Sequence, residues 1–336
     1  MSAMIALTQG DPSGIGPEIA LKAWRVLREH DEAPRFLLLA DPDLMRRTAH
    51  SLELDAPIIE TTPSGAASAF DKGLPVVPLR ASATGAPGAP ARADAATTIE
   101  AIERAVELVF SGAARAVTTN PIAKAPLYDA GFAYPGHTEF LGELARRKIG
   151  AATRAVMMIW SEQLAVVPVT IHIPLARAPL ALTRELITET ALIVNEDLRM
   201  RFGVAAPRLA ISGLNPHAGE DGTMGREEVD VIAPAIVKLR ALGVDARGPY
   251  PADTMFHAKA RARYDAALCM THDQALIPIK TIAFETAVNV TLGLPFVRTS
   301  PDHGVAFDIA GKGVADPSSL IEALKLAARL APARPA

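Results

Sequence analysis

Six of the eight histidines in this chain stand where an imidazole can do chemistry. His172 ends the apolar run in VTIHIPL, His217 follows another in GLNPHAGEDG, and His272 follows a third in CMTHDQA. Open α/β sheets place their ligands at the carboxyl ends of strands. Three imidazoles at three such ends can converge on one divalent ion. Neutral imidazole suits zinc and related metals, and three protein ligands leave one coordination position open for catalysis. The spacings of 45 and 55 residues form no local metal motif. A second reading therefore stands beside the first, in which each is an ordinary polar residue with its hydrogen bonds satisfied. His137 in YPGHTEFL, His257 in DTMFHAKA and His303 in DHGVAFD complete the six, while His30 and His50 sit in polar, helix-like surroundings and read as surface. Asp253 and Asp273 can orient an imidazole or a substrate, or serve as solvated loop acids.

The last third also gathers anion-binding groups. Lys280, Asn289 and Arg298 lie on or beside apolar segments, where an unpaired charge is costly. Lys280 and Arg298 can hold a phosphate or carboxylate, or pair with Glu285 and Asp302. Lys124 in TNPIAKAPL follows a strand-like run and reads as a site residue, with a solvated helix-start charge as the alternative. Near the N-terminus, TQGDPSGIGPEI resembles a dinucleotide-binding glycine loop only in part. Gly14 and Gly16 supply two of the three glycines of G-x-G-x-x-G, the third position is Ile19, and Asp41 follows FLLLA where the ribose acid would stand. Pro17 and Glu18 suit a helix start, but an acid at that positive end disfavours a pyrophosphate. The stretch reads as a tight strand-to-helix turn, or as a glycine turn lining a site built elsewhere.

These residues need elements to hold them. Apolar runs predict strands over 4–7, 36–39, 76–79, 116–119, 155–159, 165–169, 209–212, 267–270, 288–291 and 296–298. Their Val, Ile and Leu content with weak alternation suits strands buried on both faces. Helical spacing predicts helices over 18–29, 98–110, 138–147, 184–201, 227–242 and 318–330, the last opened by Asp316–Pro317. Strands alternating with helices give an α/β fold with a mostly parallel or mixed sheet. The Ala/Gly/Pro-rich stretch 81–96 reads as a surface connection.

The totals set bounds. The chain has 336 residues, 49% apolar and 21% charged, with a net charge of −3 and no block of like charges. That is enough apolar mass for two domains or one large one, and it lacks the basic footprint of a nucleic-acid binder. One cysteine, Cys269, permits no intrachain disulfide, which suits a reducing cytoplasm. The start, MSAMIALTQGD, has no basic leader, and its apolar part is too short for a signal peptide or membrane span.

Taken in order, TQGDPSGIGPEI, TNPIAK, GHTEFL, HIPL, GLNPHAGEDGTMGREE, GPYPADTMF, HDQALIPIK and VNVTLGLPFVRTSPDHG resemble the 4-hydroxythreonine-4-phosphate dehydrogenases of pyridoxal phosphate biosynthesis. Each piece is short; the ordered set, running from Thr8 past Gly304, is specific. The resemblance implies a divalent metal (zinc, magnesium or cobalt) on His172, His217 and His272. It implies substrate contact by His137, Thr138, Lys280, Asn289 and Arg298. It implies two α/β/α domains with a mixed, largely parallel sheet, similar to the isocitrate and isopropylmalate dehydrogenases, with the active site in the interdomain cleft. On that analogy residues 1–125 with 290–336 form the cofactor-side domain, and 126–289 the metal, substrate and dimerisation domain. A homodimer with the site at the subunit interface is implied, His272 reaching across from the other subunit. The tail DHGVAFDIAGKGVADPSSLIEAL is similar to the nucleotide loop of the decarboxylating dehydrogenases, which implies NAD or NADP near His303, Gly304, Asp308 and Gly311.

Two departures from the family pattern are Thr271, where a Tyr is common, and Val305, where a Thr is common. The implied reaction oxidises a phosphorylated amino-acid alcohol at C3, with loss of CO2 from the resulting β-keto acid. Asp253, Asp273 and Lys280 are the candidate catalytic residues. The nearest alternative is a related dehydrogenase acting on a phosphorylated sugar acid or an aromatic cis-dihydrodiol. Phosphate-acyl transfer and pure ligand binding are the alternatives from other classes.

Overall fold

The computed structural model describes residues 4–134, 136–150 and 154–331. Its strands are β1 (Met4–Thr8), β2 (Phe36–Ala40), β3 (Ile58–Glu60), β4 (Leu74–Pro78), β5 (Ala114–Thr119), β6 (Val156–Ser161), β7 (Leu164–Pro168), β8 (Arg208–Ser212), β9 (Asp245–Tyr250), β10 (Ala266–Cys269), β11 (Val288–Leu292) and β12 (Val297–Pro301). The longer helices are α1 (Gly16–Leu27), α2 (Pro42–Ser51), α3 (Ala95–Phe110), α4 (Lys124–Asp129), α5 (His137–Ile149), α6 (Arg184–Met200), α7 (Ala233–Ala241), α8 (His272–Ala283) and α9 (Ser318–Leu330). The α/β class expected from the alternation is the one observed.

Two compact units divide the chain: residues 1–155 with 294–336, and residues 156–293. Helices α4 and α5 fall in the first unit, although the sequence reading set everything from 126 to 289 in the second domain. The reason is packing, since α5 lies against α3. In the first unit the strands run β3-β4-β2-β1-β5-β12, with every pair parallel. Strands β1 and β2 are buried at every residue, as expected of a parallel sheet covered on both faces. Helix α1 lays Ile19, Leu21 and Trp24 into this core, and the Trp24 indole N–H donates to the Phe70 carbonyl at 2.9 Å. Burying such side chains contributes roughly 1.5–3 kcal/mol each.

In the second unit the order is β11-β6-β7-β10-β8-β9. Strands β11, β6 and β7 pair antiparallel, whereas β7, β10, β8 and β9 are parallel. Ile159, Val166, Ala267 and Cys269 form its core with Ala275 and Ile279 of α8. The Cys269 thiol is fully buried there, and desolvation raises its pKa, so it is an inert core group rather than a nucleophile.

All ten predicted strands are present, with ends displaced by a few residues. The two unpredicted strands, β3 and β9, are the outer edges of their units. Edge position explains the miss: β3 has three residues, and β9 (DARGPY) carries charges, a glycine and a proline that an inner strand would reject. The predicted helix 227–242 is instead a π-helical stretch, Glu228–Ile232, followed by α7. Pro234, at the head of α7, has no N–H to give, and the change of helical type falls just before it.

Candidate functional site

The parallel strands β7, β10 and β8 are neighbours, and each runs into a turn that carries one of the three expected histidines. Past β7, Val169 donates to the Cys269 carbonyl (2.8 Å), and both the N–H (3.3 Å) and the hydroxyl (2.7 Å) of Thr170 reach the Met270 carbonyl. These bonds tie the approach to His172 to the approach to His272. On the other side, Met270 N–H donates to Ser212 Oγ (3.2 Å) at the end of β8. Sheet order alone therefore brings the three turns side by side.

Backbone conformation marks two of these histidines, His172 and His217. Seven non-glycine residues among those described have positive φ, and His172 (52°), His217 (52°), Ala218 (53°), Glu220 (41°) and Asp221 (56°) are five of them. With Gly219 at 77°, the run His217–Asp221 is a left-handed turn five residues long. Left-handed backbone costs L-residues roughly 1–2 kcal/mol each. Such strain persists where surrounding structure over-determines it, and it concentrates at functional sites.

The His172 and His272 rings lie 5.7 Å apart, centroid to centroid. Two imidazoles on one tetrahedral ion, with metal–nitrogen bonds near 2 Å, have centroids about 5 Å apart, so the pair fits a shared divalent ion. The Nδ1 of His272 sits 2.7 Å from Asp273 Oδ1, a contact that orients the ring and leaves Nε2 as the atom a metal could take. Among the described residues no group of three His, Cys, Asp or Glu side chains is arranged to hold a metal. The single chain thus assembles the His172–His272 pair, with His217 on the turn beyond β8. The sequence reading has His272 delivered to the site by a second subunit; within the chain its ring already lies beside His172. His257 stands elsewhere, lining a cavity of about 440 Å³ with Arg208, Arg247 and Lys259.

Thr271, the departure from the family's Tyr, has a local role. It is the N-cap of α8: its hydroxyl accepts from Gln274 N–H (3.4 Å) while Gln274 Oε1 accepts from Thr271 N–H (3.1 Å), a capping box. His272 is thereby the first residue of a capped helix. Lys280 lies in the last turn of α8, its ammonium 5.6 Å from the centre of the Phe284 ring. Asn289 sits on β11 opposite Ile159, with its side-chain oxygen buried and unbonded. Asp253 is exposed in a single helical turn, Ala252–Thr254.

In the first unit, Arg298 on β12 is 3% exposed and donates through Nη2 to Thr119 Oγ1 at 2.6 Å. Burial pushes its pKa down to about 10, so it remains a guanidinium at neutral pH. His137 opens α5, and its Nε2 is buried with no hydrogen-bond partner. Burial first, and the charge of Arg298 second, hold its pKa well below the usual histidine range. A neutral imidazole beside a fixed guanidinium offers a polar atom and a charge that an anion could use. Thr138 follows on α5 and borders a cavity of about 370 Å³ with Tyr134, Glu139, Arg146 and Arg154. Lys124 is exposed at the first position of α4.

The segment expected to meet a cofactor contains Ala306, a further positive-φ residue (46°), and Gly311 at 72°. His303 Nδ1 lies 2.9 Å from the Gly304 carbonyl, and its Nε2 is buried and unbonded. Gly304 and Asp308 are exposed. The glycine stretch near the N-terminus packs on this segment. Ile15 N–H donates to the Val305 carbonyl (3.0 Å), and a Cβ on Gly14 would stand 2.9 Å from the same oxygen. Gly16 is required by the Gln9 carbonyl, 2.3 Å from where its Cβ would be. Both glycines thus answer to close backbone approach. Asp41, which the glycine-loop reading sets at a ribose, is spent otherwise: it caps α2 through Asp43 N–H (3.0 Å) and accepts from Ala83 N–H (2.9 Å).

A family model described as pyridoxal phosphate biosynthetic protein PdxA matches residues 32–327. A 4-hydroxythreonine-4-phosphate dehydrogenase from Methylorubrum populi is 62% identical over 97% of this chain and 94% of its own. A crystal structure of 4-hydroxythreonine-4-phosphate dehydrogenase from Klebsiella pneumoniae superposes with a TM-score of 0.86 at 37% identity, covering 98% of each chain. A terephthalate 1,2-cis-dihydrodiol dehydrogenase from Burkholderia xenovorans superposes with a TM-score of 0.64 at 27% identity, covering 97% of this chain and 98% of that one.

Proposed function

The chain belongs to the family of the pyridoxal phosphate biosynthetic protein PdxA, and from that premise we propose that it is a metal-dependent, NAD- or NADP-linked 4-hydroxythreonine-4-phosphate dehydrogenase. It oxidises 4-phosphooxy-L-threonine at C3 to 2-amino-3-oxo-4-phosphooxybutanoate, which loses CO2 to give 3-amino-2-oxopropyl phosphate. The single observation that carries the reading is the His172–His272 ring pair at 5.7 Å, on a strand-end set that also bears His217.

His172, His217 and His272 hold the divalent ion, with Asp273 fixing the His272 tautomer. When bound, the ion supplies electrostatic stabilisation of negative charge on oxygen, and the nicotinamide supplies a hydride acceptor. Arg298, His137, Lys280 and Asn289 bind and orient the charged and polar ends of the substrate; Thr138 adds a hydroxyl. Asp253, Asp273 and Lys280 are the groups through which a proton leaves. His303, Gly304, Asp308 and Gly311 meet the nicotinamide cofactor.

A homodimer belongs to the same reading. Ile277 and Phe284, on and just beyond α8, are 65% and 73% exposed, and Leu175 and Leu180 are each 75% exposed. Apolar groups so displayed favour a partner surface, and a second copy of the chain is the partner proposed for it. No helix among the described residues is long and apolar enough to cross a membrane.

A substrate panel tests the reaction. Reduction of the nicotinamide is expected with 4-phosphooxy-L-threonine and not with terephthalate cis-dihydrodiol. The reverse preference would transfer the chain to the dihydrodiol reading, which the Burkholderia xenovorans structure motivates at much lower identity.

A further inference from the structure

The peptide units joining β8 to the His217 turn are gripped from two sides. Glu228, 3% exposed, opens the π-helical stretch Glu228–Ile232. Its Oε1 accepts from the backbone N–H groups of Leu214 (2.8 Å) and Asn215 (2.8 Å), and its Oε2 from the Asn215 side-chain amide (2.9 Å). A Cβ on Gly219 would stand 2.5 Å from that Oε2, and one on Gly213 would stand 3.0 Å from Oε1. The carboxylate therefore fills the inside of the turn, and the two glycines leave it room.

From the other side comes Gln274. Its amide donates to the carbonyls of Gly213 (3.0 Å) and Leu214 (3.3 Å), while its Oε1 accepts from Thr271 N–H in the cap of α8. One side chain thus joins the segment leading to His217 with the cap residue that precedes His272. A five-residue left-handed turn is costly in L-residues, and these two side chains fix the segment that leads into it.

We propose that Glu228 and Gln274 are positioning residues that fix peptide units 213–215 and so set the His217 imidazole for a divalent ion. This rests on the reading of His217 as a metal ligand. Charge and donor pattern matter at both positions. A carboxylate offers only acceptors, and Glu228 meets three donors; Gln274 must present donors to two carbonyls and an acceptor to one N–H.

The test titrates full-length, metal-stripped protein with Co²⁺ alone, following calorimetric heat and visible absorption. It compares the unaltered protein with His217→Ala, Glu228→Gln and Gln274→Glu. Glu228→Gln turns an NH2 toward N–H donors, and Gln274→Glu sets a carboxylate against two carbonyls. Each is expected to weaken Co²⁺ binding about tenfold or more and to change the visible spectrum, with far-UV circular dichroism unchanged. A purely structural role would lower the unfolding midpoint and leave the affinity of the folded protein as it was. Because the two variants lie on different elements, either one that folds decides the matter. A folded variant that binds Co²⁺ as tightly as the unaltered protein, while His217→Ala binds weakly, overturns the proposal. Unchanged binding by His217→Ala removes His217 from the ligand set and takes the proposal down with it.

Discussion

Residue type showed which side chains can do chemistry here, and geometry shows how they are tuned. His172, His217 and His272 were legible because each follows an apolar run. The left-handed backbone of His172 and His217, the Asp273 contact and the Glu228 grip were not, since none of these leaves a spacing signal in the sequence. Asp273→Asn weakens the hold on His272 Nδ1 and is expected to cost about tenfold in Co²⁺ affinity, read by titration of the apo protein, with far-UV circular dichroism unchanged. His137 yields a pH prediction. Its folded pKa lies below the ordinary 6.5, so the unfolded chain binds the extra proton first. The native state is then unaffected above about pH 6.5 and loses up to about 1.4 kcal/mol per pH unit as the pH falls below it. Urea unfolding near pH 7.5 and pH 5.5 should show that loss, and His137→Gln should remove its share. Arg298→Lys keeps the charge but not the planar fork that bonds Thr119. The expected outcome is a KM for the phosphorylated substrate raised at least about tenfold, with a smaller change in kcat.

Elements with buried faces were the legible ones. The inner strands announce themselves by continuous Val, Ile and Leu, whereas β3 and β9 are edge strands whose polar content conceals them. Helix α8 escaped the sequence reading although it carries His272 and Lys280. Pro278 interrupts its pattern, and the capping box Thr271–Gln274 sits inside a stretch that reads first as a motif. Thr271→Ala should cost about 1 kcal/mol of unfolding free energy, and Thr271→Ser should restore most of it. The connection 81–96 lies at the surface, yet it is strapped down: Asp94 accepts from Thr84 (2.7 Å) and Gly85 (2.8 Å), and Gly88 N–H donates to the Ser13 carbonyl (2.8 Å). That strap bonds Ser13 of the N-terminal turn, in which Gly14 lies close against the Val305 carbonyl that Ile15 bonds. Gly14→Ala should displace the 303–311 segment and raise the KM for the nicotinamide several-fold, measured with saturating phosphorylated substrate.

At the scale of the whole molecule, a parallel first unit and a mixed second unit follow from the alternation of strands and helices. Which helices join which unit did not follow, because α4 and α5 are assigned by packing partners that are distant in sequence. The family is shown by identity along nearly the whole chain, and the proposed chemistry adds metal-dependent hydride transfer to that membership. The most direct test is nicotinamide reduction by the full-length protein given 4-phosphooxy-L-threonine, before chelation, after it, and after zinc, cobalt or magnesium is returned. The expected result is activity that vanishes with the chelator and returns with metal, in the unaltered protein and not in His172→Ala or His272→Ala. Undiminished turnover in fully metal-stripped protein, or in either histidine variant, would contradict it.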